Sequence, residues 1–136
     1  MVVQNNDSLG DNDSGKGRIL SILERVMNAL RSLKSDLSEL LMNCHPVRET
    51  LESTISHLDE CYNCLNELKQ VVKSSELYYY MRNIFEELPS AYVSIEAYQN
   101  GFLSLPVLKS ALMKSGILNG IEKIVSIIEA RRIDVL

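Results

Sequence analysis

Tryptophan is absent and phenylalanine occurs only twice, so any core this chain builds must be made of aliphatic side chains. Cysteine is scarce and odd in number, three residues in a helical pattern. That excludes a disulfide framework and fits a reducing compartment. No apolar run approaches the roughly 20 residues that span a bilayer, and the sequence is polar from Gln4 to Arg18, without the apolar run of a secretory signal. The expectation is an intracellular, cytoplasmic chain with no membrane span. Basic residues are outnumbered, giving a net charge of −4 and a pI near 5.2. Such a surface repels a phosphate backbone, so nucleic acid is not an expected partner. Sustained two-residue alternation is also missing, which argues against a sheet.

Residues 1–17 are rich in Asn, Asp, Ser and Gly and too poor in apolar groups to offset ordering entropy, so they read as a disordered polar tail. Gly10 to Gly17 comes close to a phosphate-binding loop. However, Gly17 stands where a magnesium-ligating Ser or Thr belongs, no buried strand precedes it, and Asp11 and Asp13 would oppose a phosphate. A calcium loop begun at Asp11 would place Ile22 where its closing Glu is needed. Asn6 and Asn12 match the glycosylation pattern but require a secretory route.

What is present is a long apolar seam. Ile19, Leu23, Val26, Leu30, Leu33, Leu37, Leu40, Cys44, Val47 and Leu51 recur in steps of three and four, the spacing of a helix face buried against other helices. Ile22, Met27, Ala29 and Leu41 widen this stripe beyond a two-stranded seam, which favours a bundle of three or more helices. Pro46 would remove a helical bond to Met42 but is tolerated in a first turn. The reading is helix 1 over 18–43 and helix 2 over 46–73, a long coiled-coil-like hairpin; one helix kinked at Pro46 is the competing form. After Leu51 the pattern resumes as Ile55, Leu58, Tyr62 and Leu65, which resembles a stutter.

Four shorter helices are expected beyond it. Ser74 and Ser75 cap one carrying Leu77, Met81, Ile84 and Leu88, which Pro89 stops. Ser90 caps a second with Val93 and Ala97 inward, ended by Gly101. Ser104 opens a third, with Pro106 in its first turn and Leu105, Leu108, Ala111 and Leu112 inward, closed by Gly116. The last spans 119–133 and buries Ile121, Ile124, Val125 and Ile128. The fold class is thus all-α, one helical domain over 18–136.

Short helices cannot cover a long hairpin along its whole length, so part of the seam is expected to be open for another chain. That makes Leu23, Val26, Leu30, Leu33, Leu37 and Leu40 candidate partner-interface residues in a homo- or hetero-oligomeric assembly. Tyr78 and Tyr79 join them, because three consecutive tyrosines cannot all face inward and exposed Tyr suits interfaces. A second reading is a self-contained bundle that regulates or adapts another protein through a groove. A third uses His57, Cys61 and Cys64, spaced four and three on one helix face, as metal ligands. Against it, no second Cys pair exists and Cys61 borders the apolar stripe. Glu49, Glu52, Asp59, Glu60, Glu86 and Glu87 fall on solvent faces. No catalytic or cofactor motif appears, so neither an enzyme nor a small-molecule substrate is expected.

Overall fold

The computed structural model describes the backbone over Val2–Arg131 and side chains over residues 17–130. Its elements are α1 (Val2–Met42), α2 (Arg48–Lys69), α3 (Ser75–Gln99), α4 (Leu105–Lys114) and α5 (Ile117–Arg131), with no strand among the described residues. The tail expected over 1–17 and its near-motifs fall on residues whose side chains, Gly17 apart, lie outside that description.

Four helices close into a ring: α1 packs on α2 and α5, and α3 completes it against the same two, with α4 bracing α3 and α5. Cross-helix pairs give the directions. Arg25 meets Glu67 and Asp36 meets His57, so α1 and α2 run antiparallel. Arg31 meets Glu129 at 2.5 Å and Lys34 meets Glu122 at 3.2 Å, so α5 also opposes α1. Tyr62 against Phe85 fits the same relation between α2 and α3. The three Arg or Lys pairs are half exposed, worth about 0.2–1 kcal/mol each; apolar packing holds the ring. Where α3 meets α5 the Ile84 side chain packs onto Gly120, since a Cβ there would lie 2.7 Å from the Ile84 Cδ1.

The α1 stripe is buried from Leu23 to Leu40, with Ile19 partly buried, and its widened edge accounts for the second neighbour. Ile22, Met27 and Ala29 are as deeply buried as the Leu seam. On α2 the buried set is Thr50, Leu51, Thr54, Leu58, Cys61, Cys64, Leu65 and Leu68, in which Leu51, Thr54, Leu58, Cys61, Leu65 and Leu68 keep the three-four rhythm through Thr54 and no stutter occurs. Thr54 fills an apolar slot because its hydroxyl donates to the Thr50 carbonyl at 2.7 Å, which satisfies the polar atom locally and presents the methyl to the core. Ile55 is only partly buried and Tyr62 is turned outward.

Helix α1 ends at Met42 and Pro46 lies outside both helices, so the single kinked rod does not form. The Lys109 ammonium donates to the Asn43 carbonyl at 2.5 Å and ties this connection to α4. Ser74 caps α3 by accepting from the Leu77 N–H at 3.2 Å. Gly101 and Gly116 sit at φ of +82° and +77°, the left-handed turns that end α3 and α4.

Pro89 does not stop the helix. α3 runs through it to Gln99, which merges two expected helices and leaves five in place of six. A proline in a helix interior costs about 3 kcal/mol through the lost N–H and its clash with the turn before it. The apolar face wins, because Leu77, Met81, Ile84, Leu88, Ala91 and Ile95 stay in phase across Pro89 and all are buried. Val93, expected inward, is therefore 63 % exposed, and α3 at 25 residues covers the full length of α2 at 22.

Candidate protein-binding groove

The seam has a cover: α2 and α5 pack directly on α1, and α3 closes the ring against the same two helices. Leu23 is 1 % exposed and Val26, Leu30, Leu33, Leu37 and Leu40 are at 0 %, enclosed by helices of the same chain. The expectation that part of the seam stays open, because short helices cannot cover a long hairpin, does not hold for these residues, which α2 and α5 cover within the chain. Tyr78 and Tyr79 are on the surface. Tyr79 leans edge-on against Tyr80, centroids 5.2 Å apart, while Tyr78 faces the cleft between α2 and α3.

The residues considered for metal do not assemble. Cys61 and Cys64 are buried in the core, and burial, helped by the neighbouring Cys64 and Glu60, pushes the Cys61 thiol up to about 12. A thiol held protonated is a poor ligand and a poor nucleophile. The Cys64 thiol is also raised by burial, against the opposing charge of Arg25. His57 turns to α1, where its Nδ1 lies 2.5 Å from Asp36 Oδ2. Ser53 donates to the same oxygen at 2.9 Å. Ser53 and Asp36 both meet Nδ1, so no relay through the imidazole forms; the trio cross-links α1 and α2. No cluster of three metal-ligating side chains occurs among the described residues.

The surface feature that stands out is the cleft between α2 and α3. Cavities follow it, one of about 250 Å³ lined by Leu58, Asp59, Tyr62, Leu88, Pro89, Tyr92 and Val93. Another, of about 240 Å³, is lined by Asn66, Lys69, Tyr78, Met81, Arg82, Phe85 and Glu86 with Tyr62 shared. Tyr62 and Phe85 meet edge to face across the cleft, centroids 5.4 Å apart and planes at 80°, and divide one cavity from the other. The Lys69 ammonium stands 5.6 Å from the Phe85 centroid. A third, more polar hollow at the Pro46 end holds Ile55 and Tyr98.

Five of the eight aromatic side chains thus border one cleft. Its charge is uneven. Glu96 beside Tyr92 raises that phenol, with burial and Asp59 acting in the same direction, and neither Asp59 nor Glu96 has a basic partner among the described residues. At the other end stand Lys69 and Arg82 with a single carboxylate, Glu86.

Sequence reasoning singled out Tyr78 and missed Tyr62, Phe85, Tyr92 and Val93. A signal existed for Tyr62 and Val93: with the buried rhythm on α2 and α3 held strictly in phase, both fall on outward positions. No protein-family model matches this chain, and no curated protein and no solved structure is similar to it.

Proposed function

We propose that this protein is a non-enzymatic helical-bundle regulator or adaptor that binds a partner protein through the α2–α3 groove. The observation that carries this is the gathering of aromatic side chains on one partly open cleft while the aliphatic core is closed within the chain. Aromatic side chains dominate the energetics of protein interfaces, and exposed apolar grooves mark where partners dock. On this reading the long α1–α2 pair, hairpin-like and heptad-patterned, is the frame that supports the groove.

The test places a photo-crosslinking residue at position 93 or at position 126 on the outer side of α5 and compares the products formed in the native source. A discrete product at 93 that is absent at 126 and lost with Tyr62→Ala supports the groove. Equal labelling at both positions would rule it out.

Membership of a larger assembly is a second reading, favoured by a separate observation. Met42, Val47, Phe102 and Val107 are all at least half exposed and sit at the turns of one end of the bundle, where Lys109 ties α4 to Asn43. Cross-linking at position 102 in place of 93 would favour it.

A further inference from the structure

The groove's shape and charge constrain what fits it. The lining residues of the two aromatic-flanked cavities are offset by about six residues on α2 and about eight on α3, a mean of about seven or about 10 Å at 1.5 Å per residue. Two turns of an α-helix carry side chains i and i+7 to one face at the same spacing of about 10.5 Å. An extended strand repeats on one face at roughly 6.8 or 13.6 Å, both about 3 Å away from that mean spacing. The Tyr62–Phe85 ridge between them corresponds to the position where a bound helix would present a small residue.

Electrostatics then sets an orientation. Asp59 lines one cavity and Glu96 sits beside it, whereas Lys69 and Arg82 outnumber Glu86 around the other. A helix carries partial positive charge at its N-terminus and partial negative charge at its C-terminus, so its N-terminus suits the Asp59 end and its C-terminus the Lys69 and Arg82 end.

Building on the groove reading, we propose that its occupant is an amphipathic helix of another protein, with apolar side chains seven residues apart. One enters each cavity, and Lys or Arg in the helix's first turn faces Asp59 and Glu96. This is the helix-in-groove mode, in which apolar anchors supply affinity and rim charges supply direction.

Selection from a displayed library of random 16-residue peptides tests it, with enriched sequences resynthesised and titrated into the full chain. Amide shifts locate the site, and circular dichroism reports the bound peptide's conformation. The expected peptides become helical, carry an apolar pair seven apart and a basic N-terminal turn, and shift Tyr62, Tyr92 and Val93. Val93→Glu, an exposed position, should weaken them at least tenfold without lowering the melting temperature, and reselection against Asp59→Lys should lose the basic preference.

Peptides that shift the groove but bind extended, or lack the seven-residue spacing, overturn the helix inference and leave the groove reading intact. Enriched peptides that bind elsewhere, indifferent to Val93→Glu, overturn both. Concentration-dependent shifts of the groove in the chain alone would make a second copy the occupant and overturn the inference.

Discussion

The ring of Tyr62 on α2 meets the ring of Phe85 on α3 edge to face, 5.4 Å between centroids, and this contact both joins the two helices and separates the cavities beside it. Such pairs contribute about 0.5–1.5 kcal/mol beyond the area they bury. A double-mutant cycle with Tyr62→Ala and Phe85→Ala, read by urea unfolding, should therefore give a coupling in that range. Strict additivity would mean the rings do not meet in solution.

Pro89 is exposed on the surface of α3 and leaves the Phe85 carbonyl without its helical donor. Replacing it with Ala restores that bond, offset in part by a more flexible unfolded chain. Pro89→Ala should stabilise the bundle by about 1–2 kcal/mol in a denaturant melt. Destabilisation would show that the ring contributes packing that outweighs the helical defect.

The three thiols should separate sharply. Cys44 is exposed and Cys61 and Cys64 are buried, so a thiol reagent added to native protein at pH 8 should modify one cysteine quickly and the other two only on unfolding. The Cys61 thiol, ordinarily near 9 and held at about 12 in the fold, stays protonated in the native chain after the unfolded chain has lost its proton. The unfolded state then binds fewer protons, so stability falls as pH rises above about 9, with a limiting slope of about 1.4 kcal/mol per pH unit for each such group. Unfolding free energies of wild type and Cys61→Ala between pH 8 and 10.5 check this. The difference between them should shrink as pH rises, and a constant difference would contradict the assignment.

How far the sequence could be read depended on whether local and long-range effects agreed. On α1 they agreed: Leu and Val recur in strict phase, the wide stripe implied more than one neighbour, and the described residues bear out the all-helical reading. On α2, Thr54 hid a core position behind a hydroxyl that its own helix satisfies, and the apparent gap promoted Ile55 and Tyr62 to the seam. On α3, the local penalty of Pro89 was set against an apolar face whose continuation through Ala91 and Ile95 is worth more.

Stopping the helix at Pro89 left only short helices to cover the long pair, and the open seam followed from that shortfall; in the fold α3 covers α2, while α2 and α5 cover α1. The groove was less legible still, because it exists only in the register of α2 against α3. Spacing within either helix does not show that Tyr62 will lie opposite Phe85.

Closure of the Leu seam within one chain is the claim on which the groove reading depends, and the melting temperature as a function of protein concentration tests it most directly. Leu30 is fully buried, so Leu30→Ala should cost about 2–5 kcal/mol. Ser35→Ala, at an exposed position on the same helix, should stay within about 0.5 kcal/mol. An internal seam makes the wild-type melting temperature the same across a hundredfold range of concentration, and Leu30→Ala lowers it by an amount equally independent of concentration. A wild-type melting temperature that rises with concentration, and ceases to do so in Leu30→Ala, would place Leu30 between chains and contradict the closed bundle.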